Sequence, residues 1–229
     1  MGILLFVLDW TFLFFYLYLG VIRMMFFILE LLGTVAFAIS GAIVGIQKKM
    51  DIFGVAILAM TTAVGGGIIR DIILNITPPA AFRNPVFTFS AIGTGIIVFF
   101  FVKQHLHLHK QALYEILLRI MDAIGLGLFT VNGVEVAYTN AAETNVFLAV
   151  FVGVLTGVGG GVLRDILAGD KPYIFTKHFY ACASLTGAVL CALCWPWLGS
   201  VLSMLLGAVV ILVLRNMAAH YHWSLPKIE

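Results

Sequence analysis

Gly65-Gly66-Gly67-Ile68-Ile69-Arg70-Asp71-Ile72-Ile73-Leu74 recurs in the second half of the chain as Gly159-Gly160-Gly161-Val162-Leu163-Arg164-Asp165-Ile166-Leu167-Ala168. The match runs outward from both copies. Glu30-Leu31-Leu32-Gly33 corresponds to Asp122-Ala123-Ile124-Gly125, and Ser40-Gly41 to Asn132-Gly133. Asp51 corresponds to Glu143, Pro78 to Pro172, Arg83 to Lys177 and Gly93 to Gly187. The repeated unit is therefore much longer than the glycine motif.

Composition says where such a unit lives. Of 229 residues, 62% are hydrophobic and 10% charged, against roughly 25% charged in a soluble domain. That is too little polar surface to wrap a soluble fold, so the chain reads as an integral membrane protein whose partner is the lipid bilayer. A net charge of +2 without a basic patch argues against nucleic acid as a partner. Apolar runs at about 29–47, 52–74, 86–102, 119–140, 145–168, 178–196 and 199–215 have the length of membrane-spanning helices. The breaks carry turn chemistry, as in Gln47-Lys48-Lys49-Met50-Asp51, Asn75-Ile76-Thr77-Pro78-Pro79 and Gly169-Asp170-Lys171-Pro172. Three spans per copy is an odd number, so the second copy must enter the membrane from the opposite side, as in many transporters.

The expected fold is all-α and integral to the membrane: seven transmembrane helices, as two inverted three-helix repeats plus a C-terminal helix. Residues 27–102 form the first repeat, 103–118 a cytoplasmic linker, 119–198 the second repeat, and 199–229 the seventh helix and tail. Residues 1–26 are a hydrophobic N-terminal extension. Within it, residues 1–23 lack the basic start and cleavage site of a signal peptide. An eighth helix, an interfacial anchor, or sequence upstream of a true start at Met24 or Met25 all fit, and the last is favoured.

Basic residues orient the chain. Lys48, Lys49, Lys103, Lys110, Arg119, Arg164, Lys171, Lys177, Arg215 and Lys227 fall on one side, and Arg23, Arg70 and Arg83 on the other. This bias places the C-terminus in the cytoplasm.

Each glycine inside a helix costs about 1 kcal/mol relative to alanine, so each triplet gives up roughly 3 kcal/mol of helix preference. Gly65, Gly66, Gly67, Gly159, Gly160 and Gly161 are read as kinks beside a pore, with tight helix contact as the alternative. Small-residue pairs such as Gly41/Gly45 and Gly153/Gly157 show that the protein also packs closely. Arg70 and Arg164 end their spans on the sides where Glu30 and Asp122 begin theirs. Arg70–Glu30 and Arg164–Asp122 are thus expected as ion pairs at the two pore ends, with snorkelling to the interface as the alternative. Glu135, Asp71 and Asp165 are possible cation ligands.

Other chemistry is thin. His105, His107 and His109 alternate in the central loop, where solvent is the expected surrounding. Cys182, Cys191 and Cys194 read as small packing residues. No nucleophile–base set, phosphate loop, metal site or cofactor motif is present, so an enzyme is not expected.

At the doubled GGGxxRD, the sequence resembles the bacterial branch of the trimeric intracellular cation channel family, also described as a glycine-transporter-like domain in two repeats. The likeness covers about residues 27–215 and includes AFAISGAIVGIQKKMDIFGVAILAMTTAVGGGIIRDIIL and GVLTGVGGGVLRDIL. It implies seven helices, a homotrimer, and one hydrophilic pore per protomer at the second and fifth spans, in the bacterial inner membrane. The chain departs from the pattern at PPAAFRNP, where an aromatic segment with tryptophan is usual, and at His178-Phe179-Tyr180-Ala181, where an acidic residue usually precedes Tyr-Ala. The expected function is a channel for a monovalent cation, potassium by resemblance. A secondary carrier of a small amino acid such as glycine is the alternative, and a non-transporting scaffold the second alternative.

Overall fold

The computed structural model describes residues 2–105, 111–141, 143–176, 179–221 and 223. His107, His109, Lys110, Lys177, His178 and Lys227 of the sequence reading lie outside them. The described residues form helices α1 (Gly2–Gln47), α2 (Ile52–Ile73), α3 (Ala80–Arg83), α4 (Pro85–His105), α5 (Gln111–Asn140), α6 (Val146–Leu167), α7 (Tyr173–Thr176) and α8 (Tyr180–His220), with no strand among them.

Sequence explains where the two glycine-bearing helices start. Asp51 caps α2 by accepting the Gly54 amide at 2.7 Å, and Asn145 caps α6 by accepting the Leu148 amide at 2.8 Å. Asn145, not Glu143, is therefore the counterpart of Asp51. The two extra residues of the second repeat lie before the cap, where Glu143 is exposed. Beyond α2 and α6 the chain folds into the one-turn helices α3 and α7.

Among the described residues, six helices are long and apolar enough to cross a membrane: Gly20–Gln47, α2, Pro85–Gln104, Leu113–Asn140, α6 and α8. The last has 41 residues, or about 60 Å at ~1.5 Å per residue, twice a hydrocarbon layer. It is broken at Gly199, where φ is 72° and ψ 175°, a conformation open essentially to glycine alone. The two arms fold back on each other. A Cβ added at Gly207 would lie 2.9 Å from the Gly187 carbonyl and 3.0 Å from Cys191 Cβ; in an unbroken helix Gly187 and Gly207 would be ~30 Å apart.

At the other end of the chain, α1 is one helix from Gly2 to Gln47. The hydrophobic extension thus continues the first span without a break. The central connection is also more helical than a polar linker: α4 runs to His105, and α5 resumes at Gln111. Tyr114 and Leu118 explain this, because they are buried against Ile43, Val44, Leu58 and Val102.

Small residues set the helix spacing. A Cβ at Gly41 would sit 2.8 Å from the Leu58 carbonyl, and one at Gly133 would sit 2.8 Å from Gly153 Cα. Phe37, Ala38, Val55, Ala59 and Ala91 fill the core of the first half, and Val131, Val134, Val152, Ala188 and Met204 that of the second. Outside, Phe53, Phe89, Ile97, Phe147, Leu202 and Val209 are exposed, as expected of a surface facing hydrocarbon. Lys48 and Asp170 join the ends of α1 and α6 at 2.5 Å. Gly199→Ala should destabilise the protein by about 1–3 kcal/mol. Gly93→Ala, whose Cβ meets nothing within 4 Å, should be neutral or stabilising by up to ~1 kcal/mol. Thermal unfolding in detergent checks both, and equal melting temperatures would contradict the need for glycine at the break.

Candidate functional site

Helices α2 and α6 touch backbone to backbone at their glycine triplets. A Cβ at Gly66 would collide with the Thr156 carbonyl, and a Cβ at Gly160 with the Thr62 carbonyl. Thr62 and Thr156 are repeat counterparts, and each turns its hydroxyl back onto its own helix, to Leu58 at 2.6 Å and Val152 at 2.7 Å. Gly159 completes the contact, its Cβ position lying 3.3 Å from Gly66 Cα. Both helices stay helical through the triplets, so close contact accounts for Gly66, Gly159 and Gly160 here. Gly65 faces Leu163, while Gly67 and Gly161 face the guanidinium groups of Arg70 and Arg164.

One turn beyond the contact, each helix places a buried arginine. Arg70 is 2% exposed and Arg164 fully buried, so neither snorkels to water. Arg70 Nε donates to Asp71 at 2.8 Å and Arg164 Nε to Asp165 at 2.8 Å. The outer oxygen of each aspartate then accepts a backbone amide beyond the helix end, Ala80 at 2.6 Å and Tyr173 at 2.8 Å. Each arginine also reaches into the other half of the chain. Arg70 Nη1 donates to the Asn132 side chain, and Arg164 Nη1 donates to Ser40, with Ser40 and Asn132 themselves repeat counterparts.

The two nodes differ in the third partner of the arginine. Arg164 is 2.6 Å from Asp122, the pairing that the repeat suggested. Arg70 makes its ion pair with Asp71. Glu30 instead lines a small open cavity of about 20 Å³, together with Thr34, Arg70, Asp71, Phe87 and Phe129. Glu135 lies one turn past Asn132, half-buried, with Arg70 and Glu30 as its charged neighbours. The Arg70 end is therefore open and carries two carboxylates beyond its ion pair. The Arg164 end is shut: Tyr173 lies against the Arg164 guanidinium at 4.9 Å, and Tyr180 against that of Arg215 at 4.7 Å.

Sequence reasoning missed Ser40, Asn132, Tyr180 and Arg215. The first two were visible as a matched pair in the repeat. Arg215, at the end of the last apolar run, is 7% exposed inside α8. Among the described residues no group of three or more His, Cys, Asp and Glu side chains is placed to hold a metal.

Two outcomes follow. Arg164→Ala strands Asp122 and Asp165 and should cost about 3–5 kcal/mol. Arg70→Ala should cost less, because the cavity admits water to Asp71. Gly66→Ala and Gly160→Ala should each cost about 1–3 kcal/mol through overpacking. Melting temperatures of the four variants in detergent test this, and equal losses for the two arginines would contradict the open and shut ends.

A family model described as "Glycine transporter" matches residues 27–103 and 119–196. The UPF0126 inner membrane protein YadS of Escherichia coli K12 is 37% identical over 200 residues, 86% of this chain and 93% of that protein. The UPF0126 membrane protein YvgT of Bacillus subtilis is 34% identical over 201 residues, 87% of this chain and 95% of that one. A TRIC cation channel solved to explain conductance is 36% identical, covers 88% of this chain and 96% of its own, and has a TM-score of 0.76. The trimeric TRIC orthologue of Rhodobacter sphaeroides is 30% identical, with 87% and 99% covered and a TM-score of 0.79. A prokaryotic TRIC channel in 0.5 M KCl reaches a TM-score of 0.81 at 32% identity, with 89% and 100% covered. Matched in both halves by one family model, and over most of its length by UPF0126 proteins and solved channels, this chain belongs to the glycine transporter family that includes the bacterial TRIC cation channels.

Proposed function

We propose that the protein is a homotrimeric channel for monovalent cations, potassium first among them, with one pore in each protomer. The observation that carries this reading is the cavity at the Arg70 end. Glu30 and Glu135 add negative charge beyond the Arg70–Asp71 pair, which favours a cation over an anion at the mouth. The cavity reaches Gly67 of α2, next to Gly66, where α2 meets α6 and the two glycine triplets replace side chains by bare backbone. The pore runs along that contact, between the Arg70 and Arg164 nodes. Asp71 and Asp165, each held by an arginine and a backbone amide, orient the nodes and do not coordinate the ion themselves. The relatives of known structure are cation channels, and one is described as trimeric.

The same reading gives seven membrane crossings, counting the two arms of α8 separately. Residues 27–102 and 119–198 are the inverted three-helix units, 103–118 joins them, and 199–229 is the seventh helix with its tail; the segment 1–26 lies outside the repeat. Supporting this, Lys48 and Asp170 bring the ends of α1 and α6 to one side. Arg70 and Asn132 bring the ends of α2 and α5 together. The basic residues put the C-terminus in the cytoplasm, and the E. coli relative is an inner membrane protein.

Reconstituted into potassium-loaded liposomes, the protein should release potassium when a counter-ion is supplied, and should give unitary currents in planar bilayers. Glu30→Gln and Glu135→Gln should each lower potassium conductance, with little change in melting temperature. Saturable glycine uptake without unitary currents would replace the channel by a carrier, and neither activity would leave a scaffold. A reporter fused after Glu229 should be active only in its cytoplasmic form; a periplasmic signal would reverse the orientation.

A further inference from the structure

Between the two arginine nodes stands a pair of aromatic rings. Phe37 and Phe129 are repeat counterparts, 1% and 4% exposed, and they stack with centroids 5.3 Å apart and planes 20° from parallel. Each lies one turn from the residue that holds an arginine of the other half. Phe37 precedes Ser40, the partner of Arg164, and Phe129 precedes Asn132, the partner of Arg70.

Glycines seat both rings. A Cβ at Gly125 would run into the Phe37 ring, and one at its counterpart Gly33 would lie 3.2 Å from the Phe129 ring. The Phe37 ring also lies 3.2 Å from the Cβ position of Gly160, so it rests against the α2–α6 contact itself. Buried phenylalanines are ordinary core residues. This pair differs in its place, because both halves give up a side chain to seat the rings between the two nodes.

That place is an apolar break in a polar line. On the cavity side are Glu30, Thr34 and Arg70, with Phe129 as part of the wall. Phe37 lies about 10 Å further along α1 than Glu30, toward Ser40 and the Arg164 node. The groups at that node are polar and can stand in for the water around an ion, whereas the rings offer an ion little in exchange. Apolar constrictions of this kind close pores by excluding water.

We propose that the stacked rings of Phe37 and Phe129 are the gate of the pore. In this conformation they close the path between the Glu30 cavity and the Arg164 node, and a cation passes only when the rings part. The gate rests on the channel reading above and adds to it the point at which flow is controlled.

Potassium efflux from liposomes carrying the full chain or its variants tests this. Phe129→Gln and Phe37→Gln put a polar side chain into the constriction, and each should raise efflux per protein several-fold. Phe129→Leu keeps the constriction apolar and should not raise it. Glutamine in a core position can prevent folding, so the decisive variant is Phe129→Cys, treated after reconstitution with a small charged thiosulfonate. Loss of the ring extends the open cavity to the new thiol, and the attached charge should raise efflux several-fold. The unsubstituted chain, which has Cys182, Cys191 and Cys194, should not respond to the same reagent. If the unsubstituted chain passes potassium and neither glutamine nor the reagent raises the efflux, the rings are core packing; the gate is overturned and the channel stands. A thiol that stays unreacted overturns the gate as well, since the proposal puts that position at the cavity wall. No efflux from any of these proteins, modified or not, would overturn the channel reading itself, and the gate with it.

Discussion

Two helices in a membrane touch backbone to backbone only where no side chain stands between them. In this protein α2 and α6 meet in that way, at Gly66 against the Thr156 carbonyl and Gly160 against the Thr62 carbonyl. Lipid offers no hydrophobic drive for helix association, so close van der Waals contact carries the joint. The two interior arginines are positioned from it. The arginines lie one turn past the contact, and each is long enough to cross from its own helix to α1 or α5 of the other half. Had a methyl group held the helices apart, Arg70 would fall short of Asn132 and Arg164 of Ser40.

The arginines are costly groups in such a place, and the way they are held explains their neighbours. Each is neutralised by the aspartate next to it in sequence, and that aspartate is itself fixed by a backbone amide from the chain after the helix. This arrangement ties the helix end, the charge and the following turn into one unit. It also accounts for α3 and α7, whose first turns carry the amides of Ala80 and Tyr173. The halves then diverge. Asp122 closes on Arg164, with Tyr173, Tyr180 and Arg215 stacked around it, whereas Glu30 stays back from Arg70 and leaves a cavity. The symmetry is that of the backbone, and the difference between the ends lies in side chains.

Much of this was legible in the residues. The doubled GGGxxRD is plain in the residues, the apolar runs fall on the long helices, and matching the two halves pairs Asp122 with Arg164. Three glycines in succession exceed what one contact face of a helix needs, which by itself suggests kinks. Their tasks are in fact divided: Gly66 and Gly160 admit a neighbouring backbone, Gly67 and Gly161 leave space before an arginine, and Gly65 accommodates Leu163. No periodicity reveals such a division. The Arg70 ion pair was also beyond reach. Successive helix positions point about 100° apart, so Asp71 is not an obvious partner until the arginine is seen to fold back. The burial of Arg215 was not legible either, because the hairpin at Gly199, which returns its arm to Tyr180, depends on a single glycine dihedral. Glu143 was matched to Asp51 by counting from Asn132, while the chain matches them by capping and uses Asn145.

The central claim is that each half of the chain holds the arginine of the other. Two double-mutant cycles on thermal stability in detergent measure it directly, Arg70→Ala with Asn132→Ala and Arg164→Ala with Ser40→Ala. Hydrogen bonds to a buried charge are worth about 1.5–3 kcal/mol, so each cycle should show a coupling of that order. Additivity within about 0.5 kcal/mol in both would mean that the halves are held together by the glycine contact alone, and the exchange of arginines across it would be refuted.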